Sequence, residues 1–599
     1  MAFGTTGRLW PNATIPYEID SNDFPIGTVD RAAIDLAISE WNENTVIRFV
    51  PHTNENEYFV FEDTGIECSS DVGMVMRHQS LNCDLEGGFS SGSLIHELGH
   101  TVGLLHEHQR PDRGGIVTVE NAADINCVIS RGRLLTDYDC ASIMHYPRQS
   151  TICGDITVNT RGCNGFGQTL RLSGRDVWGA SLLYDIPTHS VVVWEDDSAG
   201  TDRTGVIDMH APGGNGMFDI HASGIAQNGR RTCGPLRVNK WVANQQRTPA
   251  VGMDGNRNMV FVWADDHDGN QFFEIKMRGF GADGRQLFSQ RKVNLRGTGQ
   301  QIAPDVAVAN DGRFVVVWQD DTDKNRVFQI KMRGFNNNGS EHFSQRTVNT
   351  QARGQQSAPR VAIAPDGFFV VVWEDDADRN GFNNIRMRGF HANGTERWSE
   401  RQVNVRSSGQ QRRPRIAMGP WGDFVVVWED DADNNKFFNI HMRAFTADGK
   451  EKFSERSVNT RAAGQQFDPD VAVDDVFRPV VVWADDRDKN GYFQIRMRGF
   501  ESDGRQRLSE RVVNTDSDGQ QCRPAIGMEA NGRFVVAWEN DADGRADILV
   551  RGFNSNGSEL YRTKHVSNIQ ISNRNVDGHR GLPRVAMPAM SAFAPLNPF

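Results

Sequence analysis

A tryptophan-centred motif returns at a fixed interval through the last two thirds of the 599-residue chain, and this repeat restricts the fold more than any other feature. Seven apolar runs, "VVVW" or close variants, end in a tryptophan; the last five intervals are 55 residues each and the first is 69. These residues are Trp194, Trp263, Trp318, Trp373, Trp428, Trp483 and Trp538. Such self-similarity indicates an array of small structural units rather than one irregular core.

The repeated unit has the composition of β-structure. After the first tryptophan, each unit has a proline fourteen residues before its tryptophan, an acidic loop after it and a later Asn-Gly or Asp-Gly pair. Runs of β-branched residues separated by these hairpin signals predict four short strands per unit. Four strands in about 50 residues are typical of propeller blades, so we predict an all-β, seven-bladed propeller.

The two ends of the array complete each other. No Pro-x-Val-Ala segment precedes Trp194, whereas "LPRVAM" at 582–587 repeats the first-strand pattern with no "VVVW" run after it. We therefore expect a propeller over residues 190–588, closed by a C-terminal strand at 582–587 and followed by a tail at 589–599.

The acidic loops of blades two to six share a D-x-D-x-N spacing that places several oxygens on one side of a tight loop. This spacing suits Ca²⁺ and resembles the calcium loops of integrin-type propellers. In the alternative, the aspartates cap their own turns or pair with the recurrent Arg333 and Arg388. The candidate calcium ligands are Asp266, Asp268, Asn270, Asp321, Asp323, Asn325, Asp376, Asp378, Asn380, Asp431, Asp433, Asn435, Asp486, Asp488 and Asn490.

Composition limits the classes of function. The chain has 65 Lys+Arg against 77 Asp+Glu, which argues against nucleic acid as a partner, and no apolar run approaches the roughly 18 residues that span a membrane. Six of the eight cysteines fall in the first 163 residues, as in disulfide frameworks. We predict a secreted, extracellular protein whose signal peptide lies outside this sequence; plain buried thiols in a cytosolic protein are the alternative.

The segment "SLIHELGHTVGLLHEHQRP" concentrates the candidate metal ligands. Apolar residues at three- and four-residue spacing predict a helix over residues 91–105 that is interrupted near Gly103. His96 and His100 are one turn apart on one face, and the break allows His106 to return as the third ligand of a zinc ion. Glu97 lies between the first two histidines, where it can act as a general base rather than as a ligand.

Beyond this motif, residues 1–185 resemble the astacin family of zinc endopeptidases within the metzincin group. The resemblance rests on "HEHQRPDR", "SIMHY" (residues 142–146), "LWPNATIPYEID" and "IRFVPHT". It implies an α+β metzincin-like domain in which Glu107 marks the family, Met144 lies in a turn beneath the metal and Tyr146 is a catalytic tyrosine that ligates zinc at rest. Residues 186–189 are then a short linker to the propeller.

Further expectations concern the cysteines and one possible edge strand. Neighbouring cysteines close small loops most readily, so we predict the disulfides Cys68–Cys83, Cys127–Cys140 and Cys153–Cys163; the first resembles a family bridge. A bridge from Cys233 to Cys522 is a further option if the propeller closes. "VGMVMR" (residues 72–77) resembles the edge strand that pairs with substrate backbone, or is an ordinary sheet strand.

The sequence thus predicts a multidomain protein that acts on protein or peptide substrates, with one catalytic zinc and a propeller that binds substrate, a surface or a partner. A propeller adhesion or binding protein with an inactive peptidase domain is the alternative. Strand order predicts that the first domain docks on the propeller face that carries the Asn-Gly and Asp-Gly hairpins, opposite the acidic loops.

Overall fold

The computed structural model describes most of the chain. The residues that it describes are 3–65, 68–75, 79–83, 90–113, 116–120, 128–130, 132–136, 138–146, 149–150, 153–158, 171–196, 200–201, 207–208, 217–542, 546–567 and 580–588. No helix among them is both long and apolar enough to cross a membrane. Residues 3–185 are called the N-terminal region below, and residues 190–588 the repeat region.

Three α-helices occur in the described N-terminal region, and each begins at a hydroxyl cap. The caps are Thr28, Ser90 and Ser173, whose side-chain oxygens accept a backbone N–H of the first helical turn. The helices are α1 (Val29–Asn44), α2 (Ser91–Val102) and α3 (Gly174–Leu183), and two 3₁₀ turns cover Pro11–Ala13 and Glu107–Gln109.

A five-stranded sheet of order β3-β2-β4-β6-β5 forms the base of the N-terminal region; only β5 is antiparallel to its neighbour. Trp41 of α1 and Phe49, Phe59 and Leu98 pack between this sheet and the helices in one apolar core. The strands are β1 (Phe3–Gly4), β2 (Thr14–Ile19), β3 (Arg48–Pro51), β4 (Phe59–Glu62), β5 (Ser69–Ser70), β6 (Gln79–Asn82), β7 (Leu104–Leu105), β8 (Val117–Val119), β9 (Arg133–Leu134), β10 (Gln149–Ser150) and β11 (Gly154–Val158).

The described repeat region contains seven antiparallel four-stranded sheets and one short pair, β13 with β14. Six sheets use consecutive strands, from β17-β18-β19-β20 to β37-β38-β39-β40, and the remaining one has the order β16-β15-β12-β41. The strands are β12 (Ser190–Asp196), β13 (Gly200–Thr201), β14 (Ile207–Asp208), β15 (Asp219–Ile225), β16 (Arg231–Arg237), β17 (Gln246–Met253), β18 (Met259–Asp265), β19 (Glu274–Phe280), β20 (Gln286–Lys292), β21 (Gln301–Val308), β22 (Phe314–Asp320), β23 (Gln329–Phe335), β24 (Glu341–Thr347), β25 (Gln356–Ile363), β26 (Phe369–Asp375), β27 (Asn384–Phe390), β28 (Glu396–Gln402), β29 (Gln411–Met418), β30 (Phe424–Asp430), β31 (Asn439–Phe445), β32 (Glu451–Ser457), β33 (Gln466–Ala472), β34 (Val480–Asp485), β35 (Gln494–Phe500), β36 (Gln506–Val512), β37 (Gln521–Met528), β38 (Phe534–Asn540), β39 (Asp547–Phe553), β40 (Glu559–His565) and β41 (Arg580–Ala586).

The repeated proline marks a bulge in the first strand of each sheet. The residue before it has a positive φ, for example 51° at Thr248 and 53° at Leu582, and the strand register shifts there. In several sheets, the backbone N–H of this residue donates to a side chain of the neighbouring sheet, at the position that follows the tryptophan. An example is the Arg413 N–H, which donates to the Glu374 carboxylate at 2.7 Å. The prolines therefore help to fix the contact between neighbouring sheets.

The last strand of the chain belongs to the first sheet. β41 is hydrogen-bonded antiparallel to β12, with Val192 opposite Val585. Trp194 packs in one buried cluster with Val535 and Val550 of the seventh sheet, and Val193 in another with Trp263 of the second. The first sheet thus has buried contacts with both the second and the seventh sheet.

The two regions meet through α3 and the hairpins between third and fourth strands. Trp178 of α3 packs against Phe280 (6.4 Å between ring centroids) and lies directly over Gly284. The Arg230 guanidinium, in the first sheet's hairpin, donates to the Ile47 carbonyl at 2.8 Å. These contacts lie on the hairpin side of the sheets, as the strand order predicts.

Candidate metal centre

Helix α2 and the turn after it bring three imidazoles together. His96 and His100 lie one turn apart on α2, which ends at Val102, and Gly103 follows with φ 111°. The Nε2 atom of His106 is 3.1 Å from the Nε2 atoms of both His96 and His100. Tetrahedral zinc with Zn–N bonds of about 2.0–2.1 Å holds its nitrogen ligands about 3.3 Å apart, so this spacing fits one zinc ion.

Hydrogen bonds prepare these histidines for metal binding. His96 Nδ1 donates to the Ile143 carbonyl at 2.7 Å, and His100 Nδ1 donates to the Leu104 carbonyl at 2.8 Å. Because a carbonyl only accepts, the proton stays on Nδ1 and the Nε2 lone pair is left for a metal. Burial lowers the pKa of all three imidazoles, to about 3 for His100, which keeps them neutral.

A turn at residues 142–146 supports the three histidines from below. A side chain at Gly99 would meet the Met144 sulfur, since its Cβ position is 2.4 Å from that atom. Asp176 of α3 accepts from the Ser142 hydroxyl (2.5 Å) and from the Ile143 N–H (3.0 Å). Ile143 is in turn the residue that binds His96, so Asp176 acts on the metal ligand through this turn.

Sequence reasoning missed both Gly99 and Asp176. A glycine inside a buried helical turn between two histidines was a usable signal for Gly99. No local pattern distinguishes Asp176 from an ordinary helix-capping residue, whose role it also fills in the capping box with Ser173.

Glu97 is buried beside the histidines. Its side chain is 9% exposed, and burial raises the pKa of its carboxyl to about 8, while the Ser70 amide acts in the opposite direction. A buried carboxyl whose pKa lies near neutrality can accept and return a proton. Its position on α2 between His96 and His100 is the one that the motif predicts.

Tyr146 and Glu107 lie at the edge of the same centre. The Tyr146 ring is 4.5 Å from the His106 ring, measured between centroids. Glu107 is fully buried, accepts the Asp139 N–H at 2.8 Å and the Arg110 guanidinium at 3.1 Å, and has a pKa raised to about 7 by burial. The structure therefore collects all eight predicted site residues around one point, with Gly103 and Met144 completing the set.

The predicted disulfides have different outcomes. Cys83 is a buried thiol hydrogen-bonded to the Cys68 side chain, so the two sulfurs are adjacent but the predicted Cys68–Cys83 bridge is not formed in this structure. Cys140 and Cys153 are both disulfide-bonded, and their predicted partners Cys127 and Cys163 lie outside the described residues.

The optional Cys233–Cys522 bridge is wrong, because both residues are thiols. Cys233 lies on β16, the edge strand farthest from β41 in its sheet, and Cys522 lies on β37, the first strand of its sheet, so the two residues occupy opposite edges of their sheets.

The expected edge strand at residues 72–77 is also wrong for its described part, residues 72–75. The Gly73 N–H donates to the His100 carbonyl and the Met74 N–H to the Arg8 carbonyl, both at 2.9 Å or less. Val75 donates to the Gln79 side chain. These amides therefore bind helix α2, the N-terminal segment and a glutamine side chain instead of forming a sheet ladder.

The acidic loops of the repeat region use their side chains within the turn. Asp266 accepts the Gln271 N–H at 3.1 Å, Asn270 accepts the Phe272 N–H at 2.7 Å, and the Asn270 amide donates to Asp268. The other four loops have equivalent bonds. This geometry favours turn capping over calcium binding, whereas the suggested arginine partners are wrong: Arg333 and Arg388 bind Glu341 and Glu396.

Comparison with known proteins places the N-terminal region in a family. Residues 3–185 match the sequence model of the peptidase family described as Astacin. Human Tolloid-like protein 1 is 33% identical over 213 residues, which are 31% of this chain and 20% of that protein. Nematocyst expressed protein 6 of Nematostella vectensis is 33% identical over 198 residues, which are 29% of this chain and 65% of that protein.

Among solved structures, the chain is similar to High choriolytic enzyme 1, a hatching enzyme zinc-protease of the medaka fish Oryzias latipes. The two are 31% identical, the match covers 30% of this chain and 92% of that one, and the TM-score is 0.27. The chain spans about a fifth of the length of the tolloid relatives that it matches. Residues 3–185 therefore form an astacin metallopeptidase domain.

Proposed function

We propose that the chain is a zinc-dependent endopeptidase that hydrolyses peptide bonds in proteins. The observation that carries this proposal is the convergence of three neutral imidazole Nε2 atoms at 3.1 Å beside the buried carboxyl of Glu97. The three ligand nitrogens lie within 4.8 Å of one another, so a single metal ion can contact all of them.

His96, His100 and His106 would hold the zinc ion. When bound, zinc lowers the pKa of a water molecule and polarises a peptide carbonyl. Glu97 takes a proton from the attacking water and returns it to the leaving amine, a task for which a pKa raised by burial is suited. Tyr146, whose ring lies beside His106, donates a hydrogen bond to the oxygen of the reacting carbonyl.

The supporting residues have distinct roles in this proposal. Gly103 redirects the chain so that His106 faces α2, and Met144 fills the space under the histidines. Glu107 ties the segment after His106 to the Met144 turn, because its N–H donates to the Met144 carbonyl at 2.9 Å, and its carboxylate accepts the Asp139 N–H just before that turn.

For the repeat region we propose a closed seven-bladed propeller over residues 190–588 that binds substrate, a surface or a partner, joined to the peptidase domain by residues 186–189. Support comes from the pairing of β41 with β12 and from the buried clusters shared by successive sheets, the first and seventh included. We further propose that the protein is secreted, since Cys140 and Cys153 are disulfide-bonded. Calcium binding by the acidic loops stays a prediction.

The test is zinc content and casein turnover of the purified chain and of Glu97→Gln. We expect about one zinc per chain in both proteins and a loss of turnover of at least roughly 10²–10⁴-fold in the variant, the usual contribution of a general base. Glu374→Gln is the matched control, because Glu374 is an equally buried glutamate (9% exposed) in the repeat region. A wild-type chain that binds zinc without turning over casein or a peptide library would support the alternative, a binding protein with an inactive peptidase domain.

A further inference from the structure

One position in the first strand of every sheet carries an unusual set of side chains. It is the residue directly after the repeated proline, and in all seven sheets it pairs with a valine or alanine of the "VVVW" strand. The seven residues, here called the inner ring, are Ala250, Asp305, Arg360, Arg415, Asp470, Ala525 and Arg584. Three positive and two negative charges leave a net charge of +1.

The two aspartates are already engaged. Asp305 accepts the Val361 N–H at 2.9 Å, and Asp470 accepts the Ile526 N–H at 2.9 Å, so each binds the backbone of the next sheet just beyond that sheet's ring residue. Arg415 is 3.7 Å from Asp470 through its Nε atom. Arg584 differs, because the ring residues of the sheets on either side of it are Ala250 and Ala525, which have no charge and little volume.

Arg360, Arg415 and Arg584 come from separate sheets, and each guanidinium donates one N–H to the carbonyl of the proline before it. Burial and then the Arg415 charge lower the pKa of Arg584 to about 10, and the same two causes lower that of Arg360. Both shifts also include charges from other sheets, and Arg584 remains protonated at neutral pH. Arg360 Nε is buried and, among the described residues, has no hydrogen-bond partner.

An apolar cavity of about 240 Å³ lies at one end of the inner ring. Its walls are residues one to three positions further along each first strand, including Met253, Val308, Met418, Met528 and Met587. Pro365 and Pro420, in turns between first and second strands, stand at its mouth. The cavity therefore lies toward the face that contacts the peptidase domain. The inner ring is next to its apolar walls, because Val251, Val471 and Val585, which line the cavity, each directly follow an inner-ring residue.

We propose that this central cavity binds a small monocarboxylate with an apolar body, whose carboxylate is held by Arg584, Arg360 and Arg415. A single negative charge neutralises the net charge of the inner ring, and planar guanidinium groups match a carboxylate in geometry. The space beside Ala250 and Ala525 leaves Arg584 accessible to it. This site is independent of the zinc chemistry and goes beyond the proposed peptidase activity.

The cavity volume limits the size of the ligand. A cavity of about 150 Å³ binds benzene, so 240 Å³ holds an apolar body of roughly seven to nine carbon atoms. Two sources share this chemistry, a medium-chain fatty acid and the C-terminal residue of a short apolar peptide. Octanoate represents the first and acetyl-Val-Leu with a free carboxylate represents the second.

The first experiment is titration calorimetry on the full-length wild-type protein and needs no variant. Octanoate, acetyl-Val-Leu and its C-terminal amide are the probes, and acetate and 1-octanol test the carboxylate and the apolar body separately. We expect one binding site per chain for octanoate, for the free-acid peptide or for both. The probe that binds shows whether the natural carboxylate comes from a fatty acid or from a peptide C-terminus. Acetate, octanol and the amide should each bind at least roughly tenfold more weakly, as expected when an ionic hydrogen bond or the apolar contact is missing.

A charge series then tests the inner ring itself. Arg584→Gln reduces its net charge to zero, and Asp305→Asn raises it to +2 while an amide oxygen still faces the Val361 N–H. Octanoate affinity should fall at least roughly tenfold in the first variant and rise in the second. Arg346→Gln, which removes a partly buried arginine bound to the Gly394 carbonyl on an outer strand, is the matched control and should leave affinity unchanged.

Two results would overturn the proposal. One is wild-type protein that binds none of the carboxylate probes or binds octanol as tightly as octanoate; the other is equal affinity across the charge series. Because the readout is heat of binding, the same measurements on Glu97→Gln separate failure of this site from failure of the proposed peptidase activity.

Discussion

Each region of the molecule contains one cluster of side chains, among the described residues, that has the composition of a metal site. The cluster in the peptidase domain is His96, His100 and His106; the cluster in the repeat region is Asp430, His441 and Glu455. In the first, the second ring nitrogens of His96 and His100 bind backbone carbonyls and the Nε2 atoms face one another. In the second, His441 Nδ1 binds Glu455 at 3.0 Å and Nε2 binds the Ser457 hydroxyl at 3.0 Å.

The repeat explains the second cluster. In the second to sixth sheets, one residue of the third strand pairs with the sheet's tryptophan. This residue is His441 in the fifth sheet and a lysine or arginine in the other four: Lys276, Lys331, Arg386 and Arg496. His441 thus occupies a position for a cation between two carboxylates, and its nitrogens are used. Composition alone does not separate the two clusters; the availability of lone pairs does.

The sharpest way to break this comparison is to remove one histidine from each cluster. His100→Ala should abolish zinc binding and reduce casein turnover by several orders of magnitude, because two imidazoles hold zinc poorly. His441→Ala is the counterpart and should keep both the zinc and the turnover of the wild-type protein. Zinc content by elemental analysis decides between them, and loss of zinc in His441→Ala would show that the repeat region also binds the metal.

A second prediction concerns the contact between the two regions. Trp178 is 2% exposed and packs on Phe280 and over Gly284. Trp178→Ala should therefore lower the free energy of unfolding by about 3–5 kcal/mol. It should also separate a single calorimetric unfolding transition into two. The exposed Trp421 (65%) supplies the control, with an expected change of about 0.5 kcal/mol or less. A single unchanged transition in Trp178→Ala would mean that the two regions are coupled elsewhere.

A third prediction concerns Glu40, a buried acid of the peptidase domain. Glu40 accepts from Asn44 and Leu172, and burial raises the pKa of its carboxyl to about 7. In the unfolded chain this pKa is about 4.3, so the protonated Glu40 stabilises the folded state, fully so below pH 4.3. This stabilisation is lost as the pH rises through about 7, which lowers the free energy of unfolding by about 3–4 kcal/mol. Urea unfolding of zinc-free protein between pH 4.5 and 8 should show this slope.

Glu40→Gln should flatten that slope, since the amide does not titrate. Glu43→Gln removes the same charge from an exposed site on the same helix and should leave the slope as it is. Equal slopes in wild type and Glu40→Gln would assign the pH dependence to other buried carboxyls, such as Asp176, whose pKa burial raises to about 6.

The smallest effect on stability is expected in the acidic loops, because each turn hydrogen bond there is repeated in the other loops. Asn325→Ala removes the acceptor of the Val327 N–H (2.6 Å) and should lower the free energy of unfolding by about 1 kcal/mol. Asn435→Ala removes the equivalent acceptor of the Phe437 N–H and should have the same effect. If the side chains only cap their turns, added calcium should leave the melting temperature of all these proteins unchanged. A calcium-dependent rise in the wild type that Asn325→Ala reduces would favour metal binding over turn capping.

Much of the architecture could be predicted because it depends on local patterns. The 55-residue interval, the β-branched runs and the Asn-Gly or Asp-Gly pairs predicted four strands per unit, and seven such sheets occur among the described residues. The unpaired copy at 582–587 indicated where β12 finds its partner. The metal motif likewise placed His96, His100 and Glu97 by helical spacing alone.

Other features could not be predicted, because they depend on which distant residues meet. Helical spacing gave no sign that Asp176 holds the Met144 turn or that Gly99 makes room for the methionine sulfur. The state of Cys68 and Cys83 and the absence of a strand at the described residues 72–75 depend on contacts with β6, Arg8 and His100.

The sequence by itself determined the periodic elements of this protein, since strand length, hairpin type and helix face follow from residues a few positions apart. Only the tertiary structure decided which of these elements share a polar environment. Arg360, Arg415 and Arg584 look alike in three copies of one motif, yet only Arg584 is flanked by alanines at the inner ring. The physical reason is that charge and burial act through space, between residues whose order along the chain does not reveal that they are neighbours.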